Sequence, residues 1–340
     1  MVRLLAELGV DWEARDDDGW TALHCLAADG PEAAVKLLVE LGANRDAKDH
    51  DGRMAIHLAT RWGQEAVVRL LVELGADRDA IDRDGRTALH FAARWGQEAV
   101  ARLLVDLGAD WEVTDNDGRK ALHLAVMQGH ETVVRLLLNL GTGSDAGDID
   151  GRTALHCGAR WGCEAVVRLL IEFGANQGAR DNDGRTALHL AARWGHEVAA
   201  QLLVKLGSGR EARDADGRTA LHLAVMQGHE GVARMLLKFG TSLGSRDIDK
   251  RTALHLGARW GGPAVVRFLV ECGADLEAKD NDGRTALHLA ARWEQEAAVR
   301  LLLELGADRD AMGINGETAL DVMCAETIDL TSQQAETTRR

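Results

Sequence analysis

Nine histidines, His24, His57, His90, His123, His156, His189, His222, His255 and His288, recur at intervals of 33 residues, and Asp321 takes the tenth place. Imidazole is a common zinc ligand, so this ladder raises the question of a metal site. Zinc draws its ligands to roughly 2 Å, and groups a whole repeat apart cannot share one ion. Each imidazole is expected instead to bond to the Thr of its own Thr-Ala-Leu-His frame or to loop backbone. Asp-x-Asp-Gly, as at Asp82 to Gly85, resembles the middle of a calcium loop. Ala80 stands where the first carboxylate belongs and the closing Glu is missing, which leaves turn capping as the reading. Gly240-Thr241-Ser242-Leu243-Gly244 satisfies the G-x-S-x-G pattern of serine hydrolases. That nucleophile elbow needs a strand entering and a helix leaving, whereas here a helix enters and a hairpin leaves. No Gly-Lys pair exists for a phosphate-binding loop, and His-Glu at 130, 196 and 229 lacks a second His at zinc-protease spacing. An array that places identical groups about 10 Å apart does not bring different groups to one point, so no enzyme activity, cofactor or metal is expected.

Three further ladders carry charge and aromatic surface. An arginine follows each turn glycine: Arg53, Arg86, Arg119, Arg152, Arg185, Arg218, Arg251 and Arg284, with Trp20 in the first full unit and Glu317 in the last. An Arg-Trp pair recurs as Arg61/Trp62, Arg94/Trp95, Arg160/Trp161, Arg193/Trp194, Arg259/Trp260 and Arg292/Trp293, interrupted by Met127/Gln128 and Met226/Gln227. A variable position ahead of the turn glycine reads Asp17, His50, Arg83, Asn116, Ile149, Asn182, Ala215, Ile248, Asn281 and Ile314. Scaffold roles exist for the first two ladders. The post-turn arginine can pair with turn carboxylates at about 0 to 1 kcal/mol per exposed pair, and Arg can stack on Trp. Arg and Trp are also the types most enriched at interface hot spots, and Ile at an exposed tip buries nothing within its own chain.

The elements that must position these residues follow from the period, which is the mark of a repeat array. Each unit reads as turn, helix, turn, helix. In the sixth, Asp181 to Gly184 is a turn cluster, Thr186 an N-cap, Ala187 to Arg193 a two-turn helix stopped by Gly195, and Glu197 to Leu206 a second helix ended by Gly207. Helices this short fall below the roughly 12 to 15 residues at which isolated helices are even marginal, so neighbouring units must stabilise them. A longer period overlies the first: residues 115–213 and 214–312 are matching blocks, each containing Ala-Val-Met-Gln-Gly-His-Glu. Lys250 replaces a turn glycine and Glu294 the glycine between helices, each expected to cost about 1 kcal/mol at positive φ.

The unit D-x-D-G-R-T-A-L-H-L-A-A-R-W-G-x-E-x-V-x-x-L-L-x-x-G-A-D resembles the ankyrin repeat over essentially the whole chain. Ala22, Ala55, Ala88 and their successors stand where that family usually has Pro, and Ala is the better helix former. The resemblance implies an all-α ankyrin-repeat solenoid of stacked helix-turn-helix units with projecting hairpins. Helix packing at about 8 to 10 Å would make ten units a curved rod roughly 100 Å long. The expected divisions are a partial repeat over 1–15 with only its second helix, nine repeats over 16–311, a degenerate capping repeat over 312–330, and a polar tail over 331–340. Because residues 1–8 match a second helix without its first, the chain reads as a piece of a longer protein.

Composition narrows the partners. Hydrophobic residues at 46% and charged residues at 28% suit a folded chain able to bury a core. Every apolar run is cut by Arg or Glu well short of the roughly 20 residues of a membrane span, and the first residues are too polar for a signal peptide. A net charge of −14 opposes generic nucleic-acid or anionic-membrane binding. Cys25, Cys157, Cys163, Cys272 and Cys324 show no CxxC and no regular pairing. They fit free thiols used as small core residues in a reducing interior, cytoplasmic or nuclear.

In ankyrin-like arrays the hairpin tips and first helices line a concave groove. The expected function is therefore a protein-interaction scaffold that binds a peptide or partner domain there. The binder set comprises the post-turn arginines, the Arg-Trp pairs, Ile149 and Ile248; the partner is an acidic protein or peptide and the chain a monomer. Two readings stand beside it. Alternating guanidinium and indole could clamp a nucleotide or other small anion, or the array could be the sensor or spacer arm of a protein whose effector domain lies upstream.

Overall fold

The computed structural model describes residues 10–323. The expected half-repeat at residues 1–8, the polar tail and Cys324 lie outside the described residues. Among the described residues there are helices and turns but no strands. The first helices of successive pairs are α1 Ala22–Asp29, α3 Ala55–Arg61, α5 Ala88–Trp95, α7 Ala121–Met127, α9 Ala154–Trp161, α11 Ala187–Arg193, α13 Ala220–Met226, α15 Ala253–Leu256 and α17 Ala286–Arg292. Their partners are α2 Glu32–Glu40, α4 Glu65–Glu73, α6 Glu98–Asp106, α8 Glu131–Asn139, α10 Glu164–Glu172, α12 Glu197–Lys205, α14 Glu230–Lys238, α16 Gly262–Glu271 and α18 Glu296–Glu304. The chain divides into two compact units. One comprises the residues up to Gly158 together with Ala165–Asn176, the other Ala159–Glu164 together with the residues from Gln177 onward. Within each unit, first helices pack on first helices and second helices on second helices of the adjoining repeats.

The two helix types bury different fractions of their surface. In α6 only Val100, Ala101, Leu103 and Leu104 are buried, one stripe at helical spacing, and Arg102 reaches back 3.0 Å to Glu98 on the open side. In α5 Ala88, Leu89, His90, Phe91, Ala92 and Ala93 are all buried, because the helix is packed between first helices on both sides and its own partner. The frequent Ala residues let these helices approach closely. Only the C-terminal end of such a helix is left to solvent, and that end carries the Arg-Trp pair.

A neutral imidazole joins most repeats to the next, although buried His222 leaves its Nε2 without a hydrogen-bond partner. In α11, His189 Nδ1 accepts from Thr186 N–H at 3.1 Å and from the Thr186 hydroxyl at 2.9 Å, a capping box with His in the place of Glu. That leaves Nε2–H to donate to the carbonyl of Arg218 in the following repeat, at 3.0 Å. The same donation runs from His24 to Arg53, His90 to Arg119, His255 to Arg284 and His288 to Glu317. His57 and His123 donate instead to the carbonyls of Ala80 and Ala146. Where Met54 or Lys120 replaces the threonine, the backbone N–H of that residue still reaches Nδ1, at 3.0 and 3.2 Å. A second proton would point Nδ1–H at two donors inside the core, so the site refuses the cation. Burial accordingly lowers the pKa of His24, His90, His123, His189 and His255, and pushes His57 and His222 down to about 4.

Backbone bonds also join the hairpins. Asp82 Oδ1 accepts from the N–H groups of Asp84 and Arg86, at 2.9 and 2.8 Å, which closes the turn. The tip of one hairpin then donates to its predecessor, as Arg83 N–H does to the Asp51 carbonyl at 2.9 Å. Gly52 is needed there twice over: its φ is +77°, and a Cβ would stand 2.8 Å from Arg83 N. Lys250 and Glu294 adopt φ of 59° and 54° at the two positions where sister repeats use glycine.

Two features differ from the sequence expectation. The helix begun by α15 continues as a π-helix over Gly257–Gly261, and positive φ moves to Gly262. Pro263 has no N–H to close the usual turn, and Gly262 has no side chain to anchor it. The cysteines are not uniformly core residues. Cys157 is buried, but Cys25 and Cys272 are exposed and Cys163 is half-buried beside the Trp161 carbonyl. Cys272 caps the C-terminus of α16, outside the apolar stripe of its helix, so small size did not translate into burial there.

Replacing Lys250 or Glu294 by Gly should raise stability by up to about 1 kcal/mol each, measured as an increased urea midpoint. The histidines predict a pH response of definite sign. Unfolded imidazoles take up protons near pH 6.5, while His57 and His222 in the folded chain resist until about pH 4. The unfolded state therefore binds more protons in that window, and stability must fall as pH drops from about 6.5 to 4, by about 3 kcal/mol for each of these two residues. Urea melts across that range should show the decline, and a flat profile would contradict it.

Candidate functional site

The post-turn arginines are committed to their own turns. Arg53 contacts Asp49 at 2.7 Å and Asp51 at 2.9 Å, Arg86 meets Asp84 at 2.7 Å, and Arg284 meets Asp282 at 2.8 Å. Arg119, Arg152, Arg185, Arg218 and Arg251 pair likewise with Asp117, Asp150, Asp183, Asp216 and Asp249. Between 15% and 24% of these arginine side chains is exposed, so the row forms the charged floor of the surface rather than its reaching groups.

The Arg-Trp pairs are placed differently. Trp62, Trp95, Trp161, Trp194, Trp260 and Trp293 are 42% to 56% exposed at the C-terminal ends of the first helices, although indoles of this size are usually covered. The guanidinium of Arg61 lies 5.5 Å from the Trp62 ring and 4.6 Å from Trp95, so it bridges consecutive repeats. Arg160 lies 5.0 Å from Trp194. Arg259 sits between two indoles, 4.4 Å from Trp260 and 3.9 Å from Trp293, and the two rings stack with centroids 5.9 Å apart. Such cation–π contacts contribute about 0.5 to 1 kcal/mol at exposed sites.

These rows enclose clefts. One of about 390 Å³ is lined by Arg53, Arg61, Arg86, Arg94, Trp95 and Phe91, with Asp51, Asp82 and Asp84 beside them. Its counterpart of about 270 Å³ is lined by Arg251, Arg259, Arg284, Arg292 and Trp293, with Asp249, Asp280 and Asp282. Burial, and then the guanidiniums of Arg86, Arg119 and Arg61, hold Arg94 below the ordinary arginine range. Burial and Arg185 act on Arg193, and burial with Arg251 and Arg292 on Arg259. All three stay protonated amid crowded positive charge, which Asp84 offsets in part at Arg94 and Asp183 at Arg193.

The hairpin tips are a separate surface. Ile149, Ile248 and Ile314 are 62% to 71% exposed, while their N–H groups bond to the preceding hairpin at Asp117, Asp216 and Asp282. The backbone is fixed and the side chain faces solvent. Residues 240–244 follow α14 and open a hairpin, with Ser242 N–H bonded to Glu211, so no strand precedes that serine.

Sequence reasoning missed one set of positioning residues. The side chain after the helix-separating glycine reaches back to the preceding repeat. Gln97 donates to the carbonyl of Arg61 at 3.0 Å, His130 to Arg94 at 3.2 Å, His196 to Arg160 at 2.9 Å and His229 to Arg193 at 3.1 Å. Each fixes the backbone of an arginine in an Arg-Trp pair. Behind Met127 and Met226 the same place holds Cys163 and Gly262, neither of which makes that bond. Part of the signal was legible: a side-chain N–H donor, Gln or His, occupies the position in the repeats that follow an Arg-Trp pair, although Gln295, behind Glu294, donates to the carbonyl of Trp293 in its own repeat.

The fold and the exposed ladders define a repeat array with a built surface along its first helices. The family pattern for ankyrin repeats matches in overlapping triplets from residues 1–82 through to 272–327, and the chain belongs to the ankyrin-repeat family, whose arrays serve as protein-interaction scaffolds. Among solved structures it is similar to the ankyrin repeat domain of Bcl-3, a member of the IkappaB protein family. The two share 33% sequence identity, a TM-score of 0.56, and coverage of 65% of this chain and all of that one. No curated protein matches the chain. Among the described residues no helix is long and apolar enough to cross a membrane.

The bridging guanidinium can be tested without a partner. A double-mutant cycle of Arg61→Ala and Trp95→Ala should return a coupling of about 0.5 to 1 kcal/mol in urea unfolding. Arg102, which pairs with Glu98 on a second helix, is the control, and its cycle with Trp95→Ala should return none.

Proposed function

We propose that the chain is a scaffold that binds an extended peptide or partner segment along its first-helix face. The Arg-Trp clefts supply the contact area and the arginines meet acidic groups. The reading rests above all on six indoles left about half exposed at equivalent places along the array. Aromatic and guanidinium groups held in one conformation lose little entropy on binding, which is why such groups carry most of the energy at interfaces. The partner is acidic in this reading despite the acidic total of this chain, because local complementarity decides docking. The chain acts as a monomer.

Nucleotide binding is less well supported. Asp51, Asp82 and Asp84 line the same cleft as Arg86 and Arg94, and their carboxylates would repel a compact polyphosphate. Substituting Trp161→Ala with Trp194→Ala should weaken partner binding by at least tenfold while the melting temperature shifts little, measured by titration calorimetry. Unchanged affinity would remove the clefts from the interface. A thermal-shift series with nucleotides should show no stabilisation.

A further inference from the structure

The Arg-Trp ladder is discontinuous. It comes in couples of adjacent repeats, Trp62 with Trp95, Trp161 with Trp194 and Trp260 with Trp293, and the first arginine of each couple stacks on the second indole. In the first two couples the second arginine has no indole ahead of it. Beyond Arg94 and Arg193 the residues equivalent to the tryptophans are Gln128 and Gln227. Neither Arg94 nor Arg193 forms an ion pair with any carboxylate among the described residues, in contrast to the post-turn arginines beside them. Each of these two couples thus has one guanidinium held between repeats and one that makes no direct ion pair, with Asp84 or Asp183 acting on it only at longer range, and a repeat with Met and an amide separates it from the next couple.

Resting on the scaffold reading, we infer that the recognition unit is a couple of repeats, and that its ligand is an acidic extended polypeptide whose carboxylate clusters recur at three-repeat spacing. One cluster meets the Arg193 guanidinium with its flanking side chains on the indoles of Trp161 and Trp194. The next meets the third couple, in the arginine-lined cleft beside Trp293, within the same compact unit. Stacking at about 8 to 10 Å per repeat sets the two couples about 24 to 30 Å apart. Extended chain at about 3.3 Å per residue covers that in about eight residues. An intermittent anion fits better than a continuous one. The clefts carry aspartates between the arginines, and the whole chain at −14 repels a uniform polyanion. Two couples acting on one ligand gain from effective concentration, so breaking one contact or the spacing between them carries a large penalty.

The test is selection of linear 20-residue peptides from a displayed random library on the full chain, followed by anisotropy titration of the synthesised consensus. The expected consensus has two Asp/Glu clusters about eight residues apart. Arg193→Gln should weaken it at least tenfold, Arg193→Lys less, and four inserted Gly-Ser residues between clusters about as much as Arg193→Gln. Melting temperatures of the variants establish that they fold. Peptides that depend on Trp161 and Trp194 but lack acidic clusters, or that tolerate the insertion, would overturn the inference and leave the scaffold reading intact. Selected peptides indifferent to both tryptophans would overturn the scaffold reading itself. A 20-nucleotide single strand that displaces the peptide at lower concentration than unlabelled peptide would overturn the choice of ligand.

Discussion

The structure depends on a neutral imidazole shared between neighbours. Helices of four to ten residues do not persist alone in water, so each repeat must borrow order from the next. The histidine does this at the point of greatest benefit. In His189 it caps the start of its own helix through Nδ1 and holds the base of the following hairpin through Nε2, with neither ring nitrogen left over. A buried donor left without a partner costs about 1 to 3 kcal/mol, so the bond is worth more for what its absence would leave than for its own strength. A ladder that could have been taken for metal ligation is the seam of the array.

That seam also explains where the free surface lies. First helices are covered on both sides and by their partners, so their interior positions are mostly Ala, Leu and His, with an occasional Phe91, Ile56 or Val126. What remains open is the helix C-terminus and the hairpin, which is where Arg, Trp and Ile accumulate. The side chains of Gln97, His130, His196 and His229 then hold those C-termini against the adjoining repeat. The same contacts that stabilise the fold position the Arg-Trp surface.

Much of this was legible in the residues. The period of 33 places the helix pairs almost to the residue: the spacing puts a helix at Ala187–Arg193, where it stands, and the second helix ends one residue before Leu206. The positive φ at Lys250 and Glu294 followed from alignment with glycines. Three things did not follow. The π-helix at Gly257–Gly261 arises from a missing N–H and a missing side chain acting together, which no single substitution announces. The cysteines misled because residue size says nothing about which face of a short helix is covered. That Arg61, Arg160 and Arg259 each stack on the indole of the following repeat needed coordinates, since the sequence pairs each arginine with the tryptophan beside it.

The ladder indoles are the proposed contact surface. Trp12, Trp20 and Trp111 lie outside the ladder and serve as internal controls. With indole nitrogens labelled by ¹⁵N and resolved by NMR, titration with a selected peptide ligand should shift Trp161, Trp194, Trp260 and Trp293 and leave the three controls in place. Shifts confined to Trp12, Trp20 and Trp111, with the ladder silent at saturation, would contradict it.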